Sequence, residues 1–189
     1  INPKFNLLEQ DGFIKSEIDA IKEKINDPKY EIGILIAKTA SEWLEAAKLK
    51  PIPKKLFGPF WHENEVCILY ADTNLGKSIL AVQIVNSITK GVPISGFDFE
   101  AKQQPVIYCD FELSEKQFEN RYSDNYEDHY SFDDNFIRVE INIEAEIPDD
   151  ESLEDVLLKS LVETIIKTGA KVLVVDNITY LRSEMEKAK

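Results

Sequence analysis

The sequence predicts an α/β fold with a mainly parallel sheet flanked by helices, preceded by a small helical N-terminal segment. Three observations predict it. The runs "VCILYA", "QPVIYCDFE" and "KVLVVD" have the length and β-branched content of buried strands. Amphipathic segments with helix-end signals lie between them. Buried strands alternating with helices are the pattern of a parallel sheet covered on its faces. A chain of 189 residues with 43% hydrophobic content can bury the core of one domain.

Residues 1–50 read as helical and peripheral. "SEIDAIKEKI" places Ile18, Ile21 and Ile25 on one stripe, "EIGILIAK" reads as a short strand, and "TASEWLEAAKLK" offers Thr39 or Ser41 as a cap ahead of Trp43, Leu44 and Ala47. "KPIPKKLFGPFW" then contains three prolines, which fix φ and remove backbone donors. Residues 51–64 are therefore expected to form an extended connector, with the core over residues 65–189.

In the core, "VCILYA" is expected as a buried strand, followed by a helix from Lys77 to about Thr89. "QPVIYCDFE" is a second buried strand. "SEKQFENRY" is a second helix, with Ser114 and Gln117 at capping-box spacing. An acidic, aromatic loop and a short strand near "FIRVEI" follow. A third helix starts at Ser152, with Asp155 at its third position. It carries Leu153, Val156, Leu157, Leu161 and Ile165 on one face and ends at Gly169. "KVLVVD" is expected as a fully buried strand.

The formal charge of −13 makes the surface as a whole repel phosphate backbones, which excludes non-specific DNA binding by this stretch. The two cysteines, Cys67 and Cys109, sit in apolar runs without metal or disulfide spacing and read as small buried thiols. His62 and His129 have no partner at metal-ligand spacing. The start lacks a charged-then-apolar leader, and no apolar run approaches the ~20 residues a membrane span needs. The expected location is the cytoplasm, without a membrane partner. The absence of a Met at position 1 suggests that Ile1 is not the natural start.

The chemistry concentrates in the loop Ala71, Asp72, Thr73, Asn74, Leu75, Gly76, Lys77, Ser78, with Ile79 following on the helix. Its template is G-x-x-x-x-G-K-[ST], the phosphate-binding loop. Gly76 lets successive N–H groups converge on phosphate oxygens, and the helix start adds its positive end. Lys77 reaches the β and γ phosphates, and Ser78 holds Mg²⁺. The pattern predicts a bound nucleotide with Mg²⁺. Ala71 replaces the template's first glycine; its extra methyl is tolerable if φ there is negative and costly if it is positive. "VLVVDN" brings Asp176 to a strand end, in the form of a Walker B segment whose carboxylate serves the magnesium shell. Glu112, just past another strand end, is placed to deprotonate an attacking water, and Asp110 competes for that role.

Together these stretches resemble the RecA-type P-loop ATPases, and within them the branch of RepA-like and DnaB-like hexameric replicative helicases, an AAA-type ATPase domain. The resemblance covers residues 39–181. In that branch the second strand ends in the order apolar, Glu, apolar, small or Pro, matched by Phe111, Glu112, Leu113 and Ser114. It implies ATP in place of GTP as the nucleotide, Glu112 as the catalytic carboxylate, Lys77 and Ser78 as the P-loop lysine and hydroxyl, and Asp176 as the Walker B aspartate. It also implies a homo-oligomeric ring, such as a hexamer, completed by a neighbour's arginine. In RecA-type domains a further strand lies between the Walker B and P-loop strands, followed by DNA-binding loops. The chain is thus expected to be incomplete at its C-terminus, with DNA contacts beyond Lys189.

The implied function is ATP hydrolysis coupled to DNA unwinding or helicase loading, in replication or mobile-element maintenance. One alternative is a nucleotide-responsive switch, assembly module or DNA-repair ATPase of the same fold without helicase activity. Another is a degenerate scaffold marked by Ala71, against which stands the joint presence of Lys77, Ser78, Glu112 and Asp176. Trp43, Trp61 and the aromatic cluster at 122–136 read mainly as packing, and the acidic run from Asp124 to Asp155 as a solvated loop. Arg121 and Arg138 are arginines of the finger type, with nothing local to support that role.

Overall fold

The computed structural model describes residues 19, 36–72, 74–142, 144–148 and 150–178. The expected helix through Ile18, Ile21 and Ile25 lies outside them, as does most of "EIGILIAK". The chain divides into two compact units, Ile1–Pro51 and Ile52–Lys189.

In the first unit, α1 (Ala40–Ala47) is capped by Thr39, one of the two expected residues. The Glu42 amide donates to the Thr39 hydroxyl at 3.3 Å, and the Thr39 amide donates to the Glu42 carboxylate at 2.8 Å. Two of the four donors left open at a helix start are satisfied this way.

The second unit is built on a parallel sheet of order β6–β3–β7: β3 is Val106–Asp110, β6 is Phe136–Val139 and β7 is Val172–Asp176. Every residue of β3 is buried. Val106 and Tyr108 face α2 (Lys77–Lys90), packing with Ala81, Val82, Ile84, Val85 and Ile88. Ile107 and Cys109 face the opposite way, against Leu161 and Ile165 of α4 (Leu153–Thr168). A central strand covered on both faces accounts for the continuous apolar run that marked it in the sequence. Burial also pushes the Cys109 thiol up to about 11, which makes it an inert packing group.

The helix ends follow local chemistry. α3 (Glu115–Arg121) carries the full capping box of Ser114 and Gln117. Ser152 caps α4 by accepting the Asp155 amide, and left-handed Gly169 closes it. α2 ends at left-handed Gly91.

Four expectations are corrected. First, residues 66–71, "VCILYA", form no strand; Val66, Ile68 and Tyr70 are 92%, 86% and 85% exposed. A strand is held by a neighbour's hydrogen-bond ladder, and no described residue supplies one here. Cys67 is consequently exposed rather than buried. Second, β7 is not fully buried, because Leu173 and Val175 are exposed on the face turned away from α2. Third, "KPIPKKLFGPFW" is more than a connector. β1 (Lys55–Phe57) and β2 (Trp61–His62) pair as an antiparallel hairpin, and Leu56 enters the core beside α2. Fourth, part of the acidic, aromatic loop is ordered. β4 (Ser123–Asp124) and β5 (Asp128–His129) pair around Asn125 and Tyr126, both at positive φ. Phe118, Tyr122, Tyr130, Phe132 and Phe136 form a chain of ring contacts behind them.

Candidate active site

Parallel pairing aligns the carboxyl ends of β3 and β7, with Asp110 opposite Asp176. That edge is where open α/β sheets place their chemistry. Asp176 is buried, and the Tyr108 hydroxyl donates to its carboxylate at 2.7 Å. Burial and this neighbouring carboxylate push the Tyr108 hydroxyl well above its ordinary value, so it stays a neutral donor. The chain just past β3 is tied to β7 by the Phe111 amide, which donates to the Asp176 carbonyl at 2.8 Å. Glu112 follows, exposed, and its carboxylate receives the side-chain amide of Asn177. Two carboxylates thus flank one corner: Asp176 fixed and inward, Glu112 outward and accessible.

Tyr108→Phe removes the hydroxyl that Asp176 accepts. The expected loss is about 1–3 kcal/mol of stability, read as a lower denaturation midpoint in urea.

Asp110 is occupied otherwise. One carboxylate oxygen accepts the amides of Glu112 at 3.2 Å and Leu113 at 3.0 Å, and the other accepts Nε of Arg138 at 3.0 Å. Both oxygens of the buried Asp110 carboxylate are thus engaged within the fold, whereas Glu112 is exposed. Arg138 is likewise inward, so it is not a free finger.

Lys77 and Ser78 open α2, whose apolar face packs in the same core cluster as Tyr108, Val172 and Val174. Gly76 ahead of them is left-handed at φ +83°, a conformation that calls for glycine. No side-chain hydrogen bond from the described residues caps this helix start. Asn74 adopts φ +66°, which Asn tolerates. Among the described residues the non-glycine positions at positive φ are Asn64, Asn74, Asn125 and Tyr126. Ala71 is not one of them, so its methyl costs little. Asp72, Leu75 and Ile79 are exposed along the loop and first turn; Thr73 lies outside the described residues.

A family model described as AAA domain matches residues 36–189. The chain belongs to the AAA-domain family. No curated protein and no solved structure matches it. The AAA domain makes this a nucleotide-binding chain of ATPase type, on the α/β fold that the parallel sheet displays. Among its described residues no helix is long and apolar enough to cross a membrane.

No cluster of three His, Cys, Asp or Glu able to hold a metal occurs among the described residues of this AAA domain. A magnesium ion of an ATPase keeps most of its shell outside the protein and needs only one or two protein oxygens. The Ser78 hydroxyl and Asp176 carboxylate are hard oxygen donors of that kind. His62 lies against Glu65 and His129 against Glu119, so both histidines are tied to carboxylates within the fold.

Tyr108, Arg138 and Asn177, which contact Asp176, Asp110 and Glu112, belong to none of the sequence motifs. Arg138 did carry a signal: a charged residue inside the apolar run "FIRVEI" calls for an internal partner.

Proposed function

We propose that this AAA domain is the ATPase core of a RecA-like motor of the RepA-like and DnaB-like kind, coupling Mg²⁺-dependent ATP hydrolysis to DNA unwinding or helicase loading in replication or mobile-element maintenance. The observation that carries the reading is the corner of Glu112 and Asp176, at the ends of adjacent parallel strands beneath the helix that bears Lys77 and Ser78. In this reading the backbone from Asp72 to Gly76, with the amide of Ile79, cradles the phosphates. Lys77 neutralises the β and γ oxygens. Ser78 and Asp176 would hold Mg²⁺, which when bound would supply charge neutralisation. Glu112 takes the proton from the attacking water, while the loop held by Asp110 fixes its position.

The same reading takes the β1–β2 hairpin as part of the core, through Leu56, and the active form as a cytoplasmic homo-oligomeric ring, hexameric in that branch. The apolar run 66–71 has no ladder, and β7 has no partner on its far edge among the described residues. The test is ATP turnover by the full-length protein with and without single-stranded DNA. A motor shows a severalfold rise with DNA, whereas unchanged turnover points instead to the switch or assembly function.

A further inference from the structure

Tyr108 and Asp110 lie on the same face of β3 but serve opposite neighbours: Tyr108 reaches Asp176 on β7, and Asp110 reaches Arg138 on β6. Arg138 pairs in register with Tyr108, so its side chain must run along the sheet toward the carboxyl end to meet Asp110. Its three nitrogens have separate tasks. Nε donates to Asp110, Nη1 to Glu140 at 3.0 Å, and Nη2 to the carbonyl of Leu113. The Cζ of Arg138 also lies 4.8 Å from the ring centre of Phe118 on α3. The side chains of Arg138 and Asp110 are both largely withdrawn from water.

The contacts of Asp110 and of Arg138 Nη2 converge on one short segment. Asp110 fixes the amides of Glu112 and Leu113, Arg138 fixes the carbonyl of Leu113, and the next residue, Ser114, is the cap of α3. The backbone on both sides of Glu112 is therefore held while its side chain is left outward. A structural ion pair needs only the contact between the two charges; here the other Asp110 oxygen and Nη2 of Arg138 are spent on the backbone of the Glu112 loop, while Nη1 goes to Glu140.

We infer that Arg138 and Asp110 form a clamp that positions Glu112 for water activation, acting through the loop and not on the nucleotide. This rests on the role proposed above for Glu112. Lysine keeps the charge at 138 but lacks the planar fork, so it cannot hold Asp110 and Leu113 together.

The test uses Arg138→Lys and Asp110→Asn in the full-length protein, each alone and combined with Glu112→Gln. Single-turnover ATP cleavage, ADP affinity and amide exchange at residues 112–114 are measured. The clamp predicts cleavage about tenfold slower in either single variant, ADP affinity within about twofold of the parent, and faster exchange at the Glu112 and Leu113 amides. It also predicts no further loss when either change is added to Glu112→Gln, because there is no longer a base to position. Unchanged cleavage in both single variants overturns the clamp, as does an equal loss with and without Glu112. Should Glu112→Gln alone leave cleavage unchanged, the role of Glu112 fails and the positioning claim falls with it. That outcome is distinct from failure of the clamp, in which Glu112→Gln is slow and the single variants are not.

Discussion

Glu112→Gln is expected to slow ATP cleavage by about 10²- to 10³-fold while leaving nucleotide affinity within about twofold. The substitution is nearly isosteric and keeps an oxygen able to accept from Asn177, so the corner it shares with Asp176 persists. What it loses is basicity. No described neighbour supplies a replacement: Asp110 is buried with both oxygens engaged, and Asp176 accepts the Tyr108 hydroxyl beneath the sheet edge. The measurement is phosphate release under single-turnover conditions, where affinity and cleavage separate. A loss of affinity equal to the loss of rate would mean that Glu112 contributes to binding instead.

Lys77→Ala is expected to weaken nucleotide binding by about a hundredfold, equivalent to nearly 3 kcal/mol of charge-assisted hydrogen bonding to phosphate. The fold should hardly respond. α2 is anchored by Ala81, Val82, Ile84, Val85 and Ile88 further along, and Lys77 is outside that core. Its stability change is expected within about 0.5 kcal/mol, as for surface substitutions generally. Affinity and stability thus move independently.

What was legible in the sequence was mostly local. Ser114 with Gln117, Ser152 ahead of Asp155, and Gly169 fix their helix ends through contacts only a few residues long, and the structure shows each one. β3 was legible because burial on both faces leaves an unbroken apolar run. "VCILYA" has the same composition but needs a ladder from elsewhere, and strand content alone cannot supply a partner. Leu56 was hidden because its prolines mark the backbone correctly as non-helical and say nothing of which side chain turns inward. At the site, the loop from Asp72 to Ser78 and the ends at Glu112 and Asp176 were visible as motifs. The engagement of Asp110 depends on Arg138, twenty-eight residues downstream, and only the pairing of β3 with β6 brings it there. Motif residues can be read in order, whereas the residues that hold them still come from neighbouring strands.

The central claim is that the loop ending in Gly76, Lys77 and Ser78 is a working nucleotide site despite Ala71. Titration calorimetry of ATPγS with Mg²⁺ into the chain and into its Lys77→Ala variant, both verified as folded by circular dichroism, tests it most directly. The expected result is saturable single-site binding by the parent chain that is lost over the same concentration range in the variant. Equal binding by the two proteins, or none by the folded parent, would contradict it.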